Sequence, residues 1–541
     1  MLIKLIRRSI EKVVGKGVKF MVEHPANMDW GDYSTNAGIV TKQKDKVLTA
    51  LKAEKSLKNI ASEISLAGAG FINISIRKDF LINQVNQLLK GDWEKPLKGK
   101  KIMVEFAHPN THKEMHIGHM RTLIVGEALS RIFEANGAKV FRANYQGDIG
   151  PHVAKSIWGT QKLLRRRKLS WEEAEKLSLA EKAHLLGEGY VLGNRDYNQN
   201  KAEIDALNNQ IYQHQPEIEA VYQRTRGWSL EYYDQFYQRF GTKFDRLFFE
   251  SEVAEKGKEI VLKNIGRVFA RSRGAVVFKG EKYGLHTRVF ITKDGNPTYE
   301  AKDIGLGPLQ FQVFNFDRCI HVVANEQAGY FQVVIKALEL LDKKFIGREH
   351  HLPMGMVNLI GKKISSRTGE IIKVDSLLAE VKVKLEQLCQ DEAVLEQAAI
   401  GAVKYSILKT NCKQDVVFEV NKSVSLEGNS GPYLQYSFAR CRSVLAKAAE
   451  QGAARVGGTY REEDELLRLL ARFGEAVNQA AEELAPDAAA KYLYDLAQKF
   501  NVFYNQRRIA GNRFRLWLTQ ATAEILGQGL SLLGISAPEK M

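Results

Sequence analysis

Glu105-Phe106-Ala107-His108-Pro109-Asn110-Thr111-His112-Lys113-Glu114-Met115-His116-Ile117-Gly118-His119-Met120-Arg121 is the stretch on which the reading of this chain turns. Just ahead of it and into its first residues, Lys101–Phe106 (KIMVEF) is a short apolar run that predicts a buried strand. Pro109 and Asn110 mark a loop. A helical spacing then opens at His116-Ile117-Gly118-His119, runs through Ile124, Ala128 and Ile132, and stops at Asn136-Gly137. Strand, loop and helix in that order place two imidazoles and a glycine at a helix N-terminus, an arrangement suited to a nucleoside triphosphate. Helix-terminal N–H groups and imidazole donors meet phosphate oxygens, and Gly118 lets a purine lie against the backbone. Four residues alone carry little, because one packed and one surface histidine would give the same letters.

The neighbouring text extends the pattern. Lys139–Asn144 predicts a second strand, ending in Gly147-Asp148-Ile149-Gly150, the turn expected at the carboxyl edge of a parallel sheet. From about 155 to 265 the text is long, charged and helical, too much for one crossover, and reads as an insertion between the halves of the sheet. Arg165-Arg166-Arg167-Lys168 inside it reads as a solvated helix end rather than a nucleic-acid contact. Strand signals return at Gly274–Phe278, Arg288–Ile291 and Cys319–Val323, and Gly355–Leu359 leads into a basic, small-residue loop from Gly361 to Gly369. Beyond 375 the chain reads as almost wholly helical, with breaks at 428–432 and near 452–459. Residues 1–90 look like a small α/β domain, with a helical stripe at Leu2, Ile6 and Ile10 and an alternating strand at Gly70–Ile76. The polar, Pro96-bearing stretch 91–99 reads as a linker. The expected organisation is therefore an appended domain over 1–90, an α/β catalytic domain over 99–374 with the helical insertion, a helical connector over 375–427 and an all-α domain over 428–541.

With 541 residues, 44% of them hydrophobic, the chain can bury several cores. Lys and Arg number 79 against 63 Asp and Glu, a net charge of +16, which favours a polyanionic partner. The excess is uneven: residues 1–98 hold 17 basic and 10 acidic side chains, and 428–541 hold 14 and 12. Cys319, Cys389, Cys412 and Cys441 are scattered without a Cys-x-x-Cys pair, so neither a disulfide framework nor a structural zinc site is expected. No apolar run approaches the ~18 residues of a membrane span. The basic, amphipathic start could pass for a transit peptide, but Glu11 and unbroken periodicity favour an ordinary first helix, and the chain reads as cytoplasmic.

A second phosphate signal is Lys362-Lys363-Ile364-Ser365-Ser366-Arg367-Thr368-Gly369, a basic hydroxyl-rich loop able to hold a triphosphate and to stabilise departing pyrophosphate. His116–His119 and Lys363–Arg367, about 250 residues apart across a helical insertion, resemble the two signatures of class I aminoacyl-tRNA synthetases. Within that class the chain is similar to the arginyl-tRNA synthetase family over essentially its full length. The similarity rests on Glu105–Asn110, Tyr299-Glu300-Ala301-Lys302-Asp303, Glu427–Tyr436 (EGNSGPYLQY) and the ending Leu533–Met541.

The resemblance implies a Rossmann-type catalytic domain, an N-terminal domain on the elbow of the tRNA and a helical domain on the anticodon. It implies ATP, as its Mg2+ complex, and L-arginine as substrates, tRNA for arginine as partner, a monomer, and activation that waits for tRNA. His116 and His119 would hold ATP phosphates, Gly118 would lie against adenosine, and Lys363, Ser365, Ser366 and Arg367 would close on the β,γ-phosphates. The second signature departs from its usual Lys-Met-Ser-Lys-Ser form, since Ser366 stands at the second lysine. Lys113, just upstream of the first signature, is the compensating position. A guanidinium is planar and permanently charged, so its pocket needs carboxylates in fork geometry. The matching positions are Asp303 and Glu105, with Tyr299 beside them and Asn110 and Gln327 on the α-amino end. Each has a plain structural alternative: Glu105 could pair with a helix terminus, and Tyr299 could be core. For RNA, Phe71-Ile72-Asn73 resembles an aromatic-x-Asn element on which a D-loop base stacks, although Phe71 could equally be core. Tyr504, Arg507, Arg508, Arg513 and Arg515 form a basic, aromatic-bearing pattern in the last domain, equally compatible with a solvated face.

Three other readings compete. A class I enzyme for lysine would not need two carboxylates in fork geometry, and one for cysteine would bring a zinc site. A small adenylyltransferase would lack residues 428–541. A tRNA-binding paralogue without catalysis would not need His116, Gly118, His119 and Lys363.

Overall fold

The computed structural model describes residues 2–359, 373–387, 389–449 and 460–541. Lys363, Ser365, Ser366 and Arg367 lie outside the described residues, as does the break expected near 452–459. Among the described residues the central sheet has five parallel strands, in the order Glu349–Met354, Arg318–Ala324, Lys101–Glu105, Lys139–Gln146, Arg246–Phe249. Its strands are covered on both faces, which is why Ile102, Met103 and Val104 are successive apolar residues rather than alternating ones. The chain builds outward from Lys101–Glu105 to Arg246–Phe249, then returns to the other side through Arg318–Ala324. The order thus reverses between Lys101–Glu105 and Arg318–Ala324, and a crevice opens beyond the carboxyl ends of those strands, where α/β sheets hold their ligands.

The signature helix spans Ile117–Ala135 and packs behind the sheet with Ile117, Ile124, Ala128 and Ile132 buried. It ends at Asn136, followed by Gly137 with φ +90°, a backbone state that glycine adopts without a Cβ clash. Arg121, one turn in, is almost fully buried. Its guanidinium donates to the carbonyls of Met356 (2.7 Å), Cys412 (3.1 Å) and Gln414 (2.6 Å), tying the helix to the short parallel pair Val357–Leu359 and Val416–Phe418. Arg121→Met would leave those carbonyls unpaired in the interior. It should lower the free energy of unfolding by about 2–4 kcal/mol in a denaturant titration.

The stretch read as a helical insertion over about 155–265 also contains a strand. Helices Pro151–Arg167, Leu179–Arg195, Lys201–Tyr212 and Pro216–Arg239 form the insertion, after which Arg246–Phe249 and Glu250–Lys263 rejoin the sheet as edge strand and helix. A four-residue strand between two charged helices is too short to show a period of two. Ser170 with Glu173 forms a capping box at the start of the short helix Trp171–Ala174, and Ser178 with Glu181 forms one at the start of Leu179–Arg195. Arg165, Arg166 and Arg167 occupy the exposed last turn of Pro151–Arg167, a solvated helix end as read from the sequence. Ala275–Phe278 and Arg288–Ile291 are strands, but of a separate antiparallel sheet with Ala270–Ser272. Glu349–Met354 was not foreseen, its Glu-His-His-Leu-Pro-Met text being unlike a buried strand. Val416–Phe418 is likewise an exception to the helical reading beyond 375.

The N-terminal region places helix Leu2–Val14 on a four-stranded antiparallel sheet of Val22–Glu23, Tyr33–Thr35, Phe71–Ile76 and Ala61–Ala67. The C-terminal region is a bundle that includes Gly431–Ala449, Arg461–Ala471, Phe473–Glu482, Pro486–Gln506 and Arg513–Leu532. Among the described residues no helix is long and apolar enough to cross a membrane.

Candidate active site

The loop between Glu105 and His116 leaves the sheet at the crevice and carries left-handed backbone at three non-glycine residues: Ala107 (φ +77°), His108 (+52°) and His112 (+65°). Such a conformation costs about 1–3 kcal/mol per residue and persists where the surroundings over-determine it. Here Thr111 N donates to the Gly147 carbonyl (3.0 Å) and His112 N to Ser229 Oγ (2.9 Å). The Tyr233 hydroxyl lies 2.7 Å from the Asn110 carbonyl and 2.6 Å from that of Lys113. The His112 ring is sealed between Thr111 Oγ1 (2.9 Å) and Thr225 Oγ1 (2.8 Å). Burial, with His152 and Arg226 nearby, pushes that imidazole down to about 3, so it is a neutral structural ring.

His116 caps the signature helix. Its Nδ1 accepts from Gly118 N at 3.1 Å, which places the ring proton on Nε2. His119 stacks on it with ring centroids 3.7 Å apart. Burial, reinforced by the charge of Lys113, pushes His116 down to about 4, and burial with His116 and Lys113 carries His119 well below its ordinary range. Both rings are therefore neutral near pH 7, and a buried His119 Nδ1 has no partner among the described residues. A Cβ on Gly118 would sit 3.0 Å from His116 Cε1, so glycine keeps the capping ring in place as well as leaving the helix start bare. The Lys113 ammonium rests over the Tyr190 ring at 4.4 Å. Lys373, the first described residue after the basic loop, pairs with Glu114 (2.9 Å) and forms a backbone bridge with His116.

Deeper in the crevice two carboxylates take opposite states. Glu105 is buried at the end of its strand. One oxygen accepts from His321 Nδ1 (2.9 Å) and the other from Gln310. Burial alone would raise this carboxyl, but His321 and its hydrogen bond outweigh it and hold the group down at about 2. Asp303, one turn into helix Tyr299–Val313, accepts from the Tyr330 hydroxyl at 2.6 Å, yet burial and the neighbouring Glu105 push it up to about 8. The rim adds a buried ion pair, Lys302 with Glu250 at 2.5 Å. Asp148 holds Arg226 (2.9 Å) and Ser251 Oγ (2.7 Å). The Tyr145 hydroxyl is buried without a partner among the described residues. Cys319, His321 and Glu349 bring their ligand-type atoms within 4.8 Å of one another. His321 Nε2 nevertheless faces Glu349 at 2.8 Å while Nδ1 faces Glu105. With a proton on each nitrogen the ring has no lone pair for a metal.

The structure thus brings Lys113, His116, Gly118 and His119 together at the helix start, and Glu105, Asn110 and Asp303 in the crevice beside it. The Asn110 side chain packs on Gly147, where a Cβ would lie 2.5 Å from its Oδ1. Tyr299 is not core: it is 57% exposed at the mouth, with Lys302 Nζ 5.2 Å from its ring. Gln327 is exposed beyond the end of Arg318–Ala324. The sequence reading missed His321, Gln310, Glu349, Tyr330 and Glu250. Each comes from a separate element, and no local spacing connects them. Farther away, Phe71 is 38% exposed rather than core, while the Asn73 side chain accepts from Ser34 Oγ (2.8 Å) inside its sheet. Tyr504 and Arg508 face solvent. Arg507 is held by Glu462 (2.9 Å) against the Tyr460 ring, and Arg515 by Glu463 (2.6 Å), so part of that basic pattern is neutralised within the bundle.

A parallel sheet with a switch-point crevice, paired histidines at a helix start and an inserted helical segment define a class I aminoacyl-tRNA synthetase. Residues 84–420 match the family described as tRNA synthetases class I (R), catalytic domain. Residues 434–541 match the DALR anticodon binding domain, and residues 1–76 the arginyl tRNA synthetase N terminal domain. The chain belongs to the arginyl-tRNA synthetase family. It is 31% identical over 532 residues to the arginine--tRNA ligase of Bacteroides fragilis, covering 87% of this chain and 86% of that one. To the arginine--tRNA ligase of Bdellovibrio bacteriovorus it is 31% identical over 549 residues, covering 96% and 93%. Among solved structures, the arginyl-tRNA synthetase of Thermus thermophilus superposes over the whole of both chains with a TM-score of 0.83 at 26% identity.

Proposed function

We infer that the chain activates L-arginine with ATP as arginyl-adenylate and transfers the arginyl group to the 3′ end of its tRNA, releasing pyrophosphate and then AMP. The observation that carries the assignment of roles is the placement of two buried carboxylates, Glu105 and Asp303, beside the paired histidines at one sheet edge. In the first step an arginine carboxylate oxygen attacks the α-phosphorus and the bond to the β-phosphate bridging oxygen breaks. In the second, a ribose hydroxyl attacks the arginyl carbonyl and AMP leaves. No protein nucleophile is needed, so positioning and charge stabilisation do the work.

His116 and His119 donate to phosphate oxygens, and their neutral resting state supports this role, since an arriving polyanion favours the protonated rings. Lys113 shifts its ammonium from the Tyr190 face to the phosphates. Lys363, Ser365, Ser366 and Arg367 close on the β,γ-phosphates, with Mg2+ accompanying the nucleotide. That role is carried from the family signature. Asp303 and Glu105 face the guanidinium, Tyr299 covers the mouth, and Asn110 and Gln327 hold the α-amino end. Phe71 and Asn73 offer a base-stacking element to the tRNA elbow, and Tyr504, Arg507 and Arg508 a face to the anticodon arm. The appended domain spans 1–90, the catalytic domain 99–374, the connector 375–427 and the anticodon domain 428–541. The chain works as a monomer in the cytoplasm.

Exchange of labelled pyrophosphate into ATP tests the reading. Exchange with arginine but not lysine or glutamine is expected, and only when cognate tRNA is present. Full exchange without tRNA would overturn the tRNA requirement, and none in either condition would overturn catalysis.

The raised Asp303 sets a pH dependence. In the empty site it holds its proton at neutral pH, whereas a guanidinium needs the carboxylate. Arginine binding should therefore release a proton, and the arginine Michaelis constant should fall by up to about tenfold per pH unit from 6 to 8, then level off. A flat profile over that range would remove Asp303 from the pocket.

A further inference from the structure

Glu105 occupies the pocket floor in one fixed plane. His321 Nδ1 reaches Oε1 at 2.9 Å and the Gln310 amide reaches Oε2, so neither oxygen is free to rotate away. His321 is itself fixed. Glu349 Oε2 takes its Nε2 at 2.8 Å, and Phe331 leans on the ring at 5.2 Å while stacking on His351 at 4.6 Å. The backbone register makes this row: His321 pairs with Glu105 across one strand boundary, and Cys319 pairs with Glu349 across the next. Three neighbouring strands thus bring Glu105, His321 and Glu349 into one row, all three buried, beside the boundary where the sheet order reverses.

A carboxylate this deep would take up a proton if it stood alone, and a protonated Glu105 could not face a guanidinium. Two carboxylates on one imidazole demand a proton on each nitrogen, so the ring sits between them as a cation. Burial works against that charge, but the hydrogen-bonded Glu105 carboxylate holds the imidazole well above its ordinary range.

We propose that His321, backed by Glu349, is a positioning residue for arginine recognition: it holds Glu105 ionised and in the plane that a guanidinium requires. The proposal rests on Glu105 belonging to the arginine pocket. His321 acts through Glu105, and Glu349 through His321, so the three form a chain whose last member meets the substrate.

The test is pyrophosphate exchange in the presence of tRNA on the full chain, with Michaelis constants for arginine and ATP measured separately. His321→Leu is expected to raise the arginine constant by about 10- to 100-fold and to leave that for ATP within about twofold. His321→Asn, which returns an amide N–H near the former Nδ1, should recover part of the loss. In the double variant with Glu105→Gln, His321→Leu should add less than about twofold to the effect of Glu105→Gln alone. Equal rises for both substrates, or full additivity in the double variant, would overturn the positioning role. If His321→Leu does not fold, the near-isosteric Glu349→Gln carries the test: a selective rise in the arginine constant is expected, and no change overturns the proposal. Glu105→Gln with an unchanged arginine constant would instead overturn the pocket assignment on which it rests.

Discussion

Asp303→Asn is expected to raise the arginine Michaelis constant by about two to three orders of magnitude while leaving that for ATP within about threefold. The substitution is nearly isosteric, and its effect falls on the bound state. In the empty site Asp303 already holds a proton at neutral pH and accepts the Tyr330 hydroxyl at 2.6 Å, which an amide oxygen reproduces. The fold and the free pocket should therefore survive unchanged. When a guanidinium arrives, the native carboxyl gives up its proton and accepts in fork geometry, whereas the amide cannot ionise and turns a donor toward other donors. Loss of one partner of a buried charge pair costs about 2–5 kcal/mol, which sets the range. The pH slope predicted for arginine should vanish in the same variant. Similar rises for arginine and ATP would place Asp303 outside the arginine pocket.

His119→Ala is expected to lower the turnover number for pyrophosphate exchange by about 100- to 1,000-fold with little change in the arginine Michaelis constant. Removing one preorganised donor from a site where charge develops typically costs that much. His119 suits the role because its buried Nδ1 has no partner among the described residues and its ring lies against His116. Both rings are neutral at rest, so beyond the Lys113 ammonium the site gains positive charge only as the phosphates enter. Pre-steady-state measurement of adenylate formation would locate the loss in the chemical step. A large rise in the ATP constant at unchanged turnover would make His119 a ground-state binder instead.

The parts of the site that lie close together in the chain were legible before the structure. His116, Gly118 and His119 are set by a helix start, and a helix start has a local signature of apolar spacing and a capping residue. The strand-and-helix order around them gave the sheet edge, and the family similarity gave Asp303 and Tyr299 their place. Two kinds of feature were not legible. The first is short or atypical strands: Arg246–Phe249 sits between charged helices, and Glu349–Met354 carries two histidines and a proline, so neither shows a period. The second is buried polar contacts between distant elements. The link from Glu105 through His321 to Glu349 joins positions 216 and 28 residues apart, and nothing in a local window distinguishes His321 from an ordinary core histidine. The sequence also offered a basic, aromatic-bearing pattern over Tyr504–Arg515, but it shows neither that one helix ends at Gln506 and the next begins at Arg513 nor that Glu462 and Glu463 on a neighbouring helix cancel part of that charge.

Several joints between the regions of this chain are one-sided. Arg121 holds the carbonyls of Met356, Cys412 and Gln414, Lys404 those of Phe240 and Gly534, and Arg131 those of Gly241 and Ser531. Asn136 reaches the carbonyl of Val477, and Arg468 that of Met28. In each case the donor is a particular side chain and the acceptor is main chain, which every amino acid supplies. Drift at Met356 or Ser531 leaves the joint intact as long as the backbone stays in place, whereas drift at Arg121 or Lys404 breaks it. A survey that looked for paired substitutions across these boundaries would therefore find little covariation at some of the firmest joints in the molecule.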